Sequence, residues 1–395
     1  MAHQNNANNT SLTWGGVAAN KGTPDATTTA HRRALYLKLF SGELFKGFQR
    51  NTIARDLITK RTLKNGKSLQ FIFTGRTNSE FHVPGQNILG NTDGAPPVAE
   101  VTIQCDDLLI SSAFVYELDE VLSHYDLRGE ISRKIGYALA ENYDRRIFRA
   151  ITKAARQASP IQKTNFLEPG GTQVRVGTGN VGTDAYDADA LVNAFYDAAA
   201  ALDEKGVSTE GRVGVLNPRQ YYELIQKVGD SGLINRDEQG EARQRGNGIV
   251  EIAGIKIYKS MNIPFFGKFG TKYGGSGATG TGVTDPGNTG SFVSEDMGNQ
   301  AESASGAPDG QRTVNDYGEG NKFDNSCGLI FQREAVGCVE AIGPQVQVTS
   351  GDVSVIYQGD VILGRLAMGA APLNPAAAVE LIAGIAPNTG VAQAF

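Results

Sequence analysis

From Val121 to Gln157 the sequence contains no proline, and Leu127, Ile131, Ile135, Leu139, Tyr143, Ile147, Ile151 and Ala155 recur every four residues until Pro160 ends the pattern. One apolar residue per turn over that length predicts a single helix of about 50 Å, covering residues 121–159, which is long for a globular protein. A four-residue step advances about 400°, so the apolar stripe drifts roughly 40° per step and the two ends of the helix are expected to meet different neighbours. Ile131, Ile135, Leu139 and Ile147 are the predicted core of this helix. Gly129 and Gly136 would let another backbone come close or let the helix bend. Beside the stripe run Arg145, Arg146, Arg149, Lys153 and Arg156. This basic face reads either as a contact for nucleic acid or an acidic partner, or as a solvated or salt-bridged face.

Ahead of the helix, Leu69, Phe71 and Phe73 alternate with Ser68, Gln70, Ile72 and Thr74, and Val101, Ile103 and Cys105 alternate with Glu100, Thr102, Gln104 and Asp106. A period near two predicts two strands, joined by a polar excursion from Asn78 to Pro97. A two-stranded ribbon has no second layer for its apolar face, so Leu69, Phe71, Phe73, Val101 and Ile103 are expected to be buried only against another subunit. Gly66-Lys67-Ser68 imitates the end of a phosphate-binding loop. Position 61, however, is Arg61 where that loop requires glycine, and a strand follows where it requires a helix. Asn65-Gly66 reads as a turn. Gly177, Gly179 and Gly182 match a dinucleotide fingerprint, yet Asp184, Asp187 and Asp189 follow and would repel a pyrophosphate. Those acids suit the cap and dipole of a helix from Ala188 to Glu204.

A composition of 40% hydrophobic and 20% charged residues is that of a soluble globular protein. No run approaches the ~18 apolar residues of a membrane span, and Met1 to Asn9 has no basic or apolar leader, so a cytoplasmic protein without a membrane partner is expected. A net charge of −5 argues against a dedicated nucleic-acid binder. Cys105, Cys327 and Cys338 show no metal-ligand spacing and read as reduced structural thiols. His3, His31, His82 and His124 have no metal spacing either, and no nucleophile motif accompanies them. No cofactor, metal or catalytic residue is predicted. The pairs Asp106-Asp107 and Asp119-Glu120 could form an acid/base couple but read better as surface acids.

Residues 1–30 are too polar to fold alone. From Ala34 an apolar set, Leu35, Leu37, Leu39, Phe40, Leu44, Phe45 and Phe48, requires cover. Residues 184–264 read as an α/β unit: the helix from Ala188, a strand Arg212 to Leu216, a helix opened by Asn217-Pro218, and a bent strand pair Val250 to Tyr258 turning at Ala253-Gly254. The glycine-rich tract 265–325 is a long surface excursion expected to lean on neighbours. Strands then return through Leu329 to Phe331, Val336 to Ile342, and the alternating sets Val346, Val348 and Val353, Val355, Tyr357, Val361, Leu363.

The segments "LYLKLFSGELFKGFQRNTI" (35–53), "GKSLQFIFTGRT" (66–77), "VPGQ" (83–86), "HYDLRGEISRKIGYALA" (124–140), "QREAVGCVE" (332–340) and "LAMGAAPLNPAAA" (366–378) together resemble, in order, the major capsid protein of T-seven-like short-tailed phages. The resemblance implies the α+β HK97-type fold, with an N-arm (1–54), an E-loop (55–107), a P-domain containing the spine helix (108–183), an A-domain (184–345) and return strands with a carboxy-terminal P-domain segment (346–395). Residues 159–183 match less well, and the glycine-rich tract is longer than its equivalent. The implied role is structural rather than enzymatic. Hexamers and pentamers would build an icosahedral head of triangulation number seven, in the host cytoplasm, on a scaffolding protein and around a portal. The virion would enclose double-stranded DNA without specific binding. Lys67 and the apolar arm residues would then grip a neighbouring copy. Cross-linking, found in some relatives of the fold, would need an arm lysine such as Lys64 or Lys67 near a partner asparagine. Two other classes make different demands. A decoration or surface-binding virion protein has no use for a spine helix and arm with uncovered apolar faces, and a soluble nucleotide-binding enzyme needs a pocket of convergent polar groups.

Overall fold

The computed structural model describes residues 53–75, 81–85, 97–106, 108–116, 127–163, 166–177, 184–185, 187–226, 250–263, 326–348 and 358–383. The helices are α1 (Ala54–Leu57), α2 (Leu127–Arg156), α3 (Ala188–Glu204) and α4 (Pro218–Gln226). The first seven strands are β1 (Thr59–Thr62), β2 (Ser68–Thr74), β3 (Val98–Gln104), β4 (Leu109–Tyr116), β5 (Gln162–Lys163), β6 (Phe166–Leu167) and β7 (Thr172–Val176). The remaining strands are β8 (Arg212–Leu216), β9 (Val250–Ile252), β10 (Ile255–Lys259), β11 (Ser326–Gln332), β12 (Val336–Val348), β13 (Gly359–Pro372) and β14 (Ala378–Ala383). The chain divides into two compact units, one of residues 1–50, 108–142 and 342–367, the other of the remainder. The expectations for residues 1–52, for 121–126, for the arm tip around Asn78 and for the glycine-rich tract lie outside the described residues.

In the smaller unit, β13 pairs antiparallel with β4 from Gly359↔Tyr116 to Leu366↔Leu109. The first half of α2 packs there through Ile131, Ile135 and Leu139, all buried, with exposed Arg133 and Lys134 facing away. A Cβ at Gly364 would overlap the side chains of Ile135 and Leu139, so the close approach of helix and strand depends on a glycine of the strand. Gly136, expected to serve that purpose from the helix side, faces open space.

The larger unit is built on a six-stranded sheet of order β7-β14-β11-β8-β10-β9. Its α3 reproduces the expected limits. Asp187 Oδ1 accepts from the Asp189 N–H at 3.3 Å, and Leu191, Ala194, Phe195, Ala198 and Leu202 form a stripe at helical spacing. That stripe joins Tyr221 and Leu224 of α4 and Ile252, Ile255 and Ile257 in one core. The β9–β10 hairpin turns at Ala253 and Gly254, with φ of 52° and 75°, the pair of positive values that a two-residue turn matched to strand twist requires. The second half of α2 has no solvated face between Tyr143 and Thr152, where every residue is buried. A helix enclosed on all sides must find partners inside the protein for any charge it carries.

Candidate functional site

The arm is an antiparallel ribbon in which β2 and β3 pair from Ser68↔Gln104 to Thr74↔Val98. Alternation places Leu69, Phe71 and Phe73 on one face, opposite Ile103, Val101 and Ala99 respectively. This face is not left for another subunit alone. Phe71 and Ile103 are buried against Val339 of β12 in the same chain, with Leu63, Leu69, Val101, Ala371 and Leu373 packed around them. The expectation of burial only between subunits is corrected here for Phe71 and Ile103. The ribbon does receive a second layer, from a strand far away in sequence. Gly337 makes the approach possible, since a Cβ there would lie 2.6 Å from Ile103 Cδ1. The Arg61 guanidinium sits 5.2 Å from the centre of the Phe71 ring. Gly66 has φ of 95°, as the predicted turn requires, and exposed Lys67 contributes its carbonyl to the Cys105 N–H at 2.9 Å.

The opposite face of the arm is exposed. Ile72 stands beside Glu100, Val98 beside Thr74, and these two apolar residues are 75% and 61% exposed. Beyond the strands, Phe81 is fully exposed and Val83 more than half exposed. Single exposed apolar residues are ordinary, but each of these four gains from being covered.

The second feature is a set of buried ions along α2. Of the solvated or salt-bridged face that one reading of the sequence held, the solvated form is not found, while Arg146 and Arg156 are salt-bridged. Arg149 is 1% exposed, Arg145 and Arg146 are buried, and Lys153 is half-buried. Arg146 pairs with Asp106 at 3.4 Å, which also corrects the reading of Asp106 as a surface acid. Arg156 donates through Nε at 2.7 Å and Nη2 at 2.6 Å to Glu380, which also accepts from Gln173 Nε2 at 2.9 Å. Asp144 accepts from the Ile53 N–H at 2.8 Å and the Ala54 N–H at 3.2 Å, and Asn262 Nδ2 lies 3.5 Å away. Glu340 accepts from Arg55 at 3.2 and 3.1 Å and from the Tyr143 hydroxyl at 2.7 Å. The sequence signal for the cations was plain, but Asp144, Glu340 and Glu380 were not singled out, because nothing local marks an acid as buried.

Burial alone would push the Glu340 carboxyl up, but hydrogen bonds from Arg55 and Tyr143 outweigh it and hold the group below its ordinary range. Burial, then Cys338 and Glu340, keep the Tyr143 hydroxyl protonated far above its usual value. The Cys338 thiol is pushed up to about 12, mainly by burial. The three cysteines are buried thiols, in keeping with the structural role expected of them. A carboxyl whose pKa is lower folded than unfolded stabilises fully above its unfolded value, roughly 4.3, and that stabilisation is lost as pH falls through the folded value. The stability gap between wild type and Glu340→Gln is therefore expected to be constant from pH 6 to 8 and to shrink in acid. Urea unfolding across that range measures it, and a gap unchanged down to about pH 3 would contradict the assignment.

Among the described residues no group of His, Cys, Asp and Glu could hold a metal, and no helix is long and apolar enough to cross a membrane. The model of the Gp10A-like major capsid protein family matches residues 71–301. The chain is 25% identical over 360 residues to the major capsid protein of Escherichia phage T7, covering 88% of this chain and 92% of that one. The solved capsid of cyanophage P-SCSP1u superposes with a TM-score of 0.65 at 28% identity, over 93% of this chain and 96% of the other. The mature capsid of bacteriophage PhiM1 shares the fold, with a TM-score of 0.59 at 15% identity over 89% and 93% of the two chains.

Proposed function

The chain belongs to the Gp10A-like major capsid protein family, and from that membership we propose that the exposed face of its β2–β3 arm is a contact through which copies join into an icosahedral phage head. As a phage major capsid protein it is a structural component of the virion and assembles into multimeric shells. The HK97-type α+β fold is shared with the solved phage capsids. The observation that carries the arm's role is the uncovered apolar series Ile72, Phe81, Val83 and Val98 on an arm whose other face is already packed against its own subunit. Removing such side chains from water is worth roughly 1.5–3 kcal/mol each, and a closed shell repeats that gain at every copy.

In this reading the copies form hexamers and pentamers, with triangulation number seven, in the host cytoplasm. A scaffolding protein and a portal guide assembly. The net charge of −5 suits a shell that encloses double-stranded DNA without gripping it, since a surface that neutralised many phosphates would resist DNA entry and exit. The role is structural, with no reaction catalysed. Negative-stain microscopy of the full chain produced with a scaffolding partner is expected to show closed shells of one size. Only small oligomers under those conditions would overturn the reading.

A further inference from the structure

We propose that Asp144 and Glu340 form a two-carboxylate anchor that fixes the segment Ile53–Ile58 on its compact unit, and so act as positioning residues for shell assembly. The inference rests on the shell-building role argued above, but its evidence is separate. Residues 53–58 are the first described part of the chain, and α1 is too short, at four residues, to hold its place by its own hydrogen bonds. Its N-cap residue, Ile53, provides no side-chain cap. The cap comes from another helix, because Asp144 of α2 places one carboxylate oxygen on the Ile53 N–H and the other on the Ala54 N–H. A carboxylate is the group that the first amides of a helix favour, and this one is buried, where the bonds are not diluted by water.

The second carboxylate acts on the next residue, Arg55. Glu340 of β12 takes both the Nε and the Nη2 of Arg55, in the forked geometry that fixes orientation as well as distance, and the Tyr143 hydroxyl holds the same carboxylate from α2. Between these contacts the side chains of Ala54 and Ile58 are fully buried. The segment is therefore held by two polar and two apolar points within six residues. Asp144 and Tyr143 are adjacent on α2, so one turn of that helix orients both carboxylate contacts. Arg55 is half-exposed, and an exposed ion pair alone would contribute little. Its value here lies in fixing the orientation of the segment Ile53–Ile58.

The test uses the full chain in two measurements. Hydrogen exchange of the free subunit reads the anchor directly. Asp144→Asn keeps the shape but offers one acceptor oxygen where there were two, and Arg55→Gln frees Glu340 from its cation without opening a cavity. The double variant is expected to exchange the Ile53 and Ala54 amides about tenfold faster or more, with core amides of β8 and β11 unchanged. Glu380→Gln, which weakens α2 elsewhere, serves as the control and should leave the Ile53 and Ala54 amides as in wild type. Equal exchange at Ile53 and Ala54 in the double variant and wild type would overturn the anchor. The second measurement is assembly with the scaffolding partner, followed by microscopy. The double variant is expected to give open or irregular particles from subunits whose core exchange is normal. Uniform closed shells would overturn the positioning role. If wild type itself formed no shells, the shell reading would fall while the exchange result still decided the anchor.

Discussion

Glu380→Ala is expected to lower the unfolding free energy of the subunit by about 3–5 kcal/mol, the usual cost of leaving a buried charge without its counter-ion. Glu380 lies in β14 with no exposed surface, opposite Gln173 of β7. Its carboxylate takes two hydrogen bonds from Arg156 and one from Gln173. Arg156 stands in the last turn of α2 with only a tenth of its side chain exposed, so it cannot recover hydration by moving outward. Removing Glu380 therefore costs the desolvation of the guanidinium as well as three charge-assisted bonds. The double variant Arg156→Leu with Glu380→Met should recover most of the loss, because a well-packed apolar pair does not carry that penalty. Urea unfolding of the single and double variants measures both effects. A single variant within about 1 kcal/mol of wild type would mean that water reaches the pair.

The second large effect concerns assembly rather than folding. Ile72→Asp combined with Phe81→Asp places two charges at positions 75% and 102% exposed in the subunit. The subunit should keep its far-ultraviolet spectrum and unfold at nearly the wild-type urea concentration, since surface changes away from packed groups usually stay within about 0.5 kcal/mol. Shell yield should fall at least about tenfold, because each copy would have to bury two charges in place of two apolar side chains. The contrasting variant is Phe71→Ala on the packed side, which should unfold the arm from its own subunit. Undiminished shell yield from the double aspartate variant would remove the arm's outer face from the assembly contacts.

How much of this could be read beforehand depended on whether the signal was local. Helix α3, strand β8, the opening of α4 at Pro218 and the hairpin at Ala253-Gly254 were legible because a cap, a proline, a turn or a regular period marks each within a few residues. The stripe of α2 was legible for the same reason. Its burial on all sides from Tyr143 onward was not, because a run of arginines has the same spelling whether it faces water or buried acids. The acid that answers Arg156 is 224 residues away, and the one that answers Arg55 is 285 residues away. Strand β1 was missed because Thr-Lys-Arg-Thr carries no apolar alternation, and only its parallel pairing with β12, from Thr59↔Gly337 to Thr62↔Glu340, makes it a strand. The arm was recognised as a ribbon, while its root on Val339 depended on a partner that the ribbon's own sequence does not specify.

That root gives the arm the mechanics of a cantilever. Thr74, at the end of β2, lies three residues or about 10 Å beyond Phe71, so a tilt of ~10° where Phe71, Ile103 and Val339 meet displaces that end by about 2 Å. An error too small to disturb packing at the clamp becomes, at the end of the strand, large enough to forfeit most of a van der Waals contact. In the proposed shell, tight fitting at three buried side chains would set the tolerance with which one copy is aimed at the next, and curvature summed around a closed surface would inherit that tolerance.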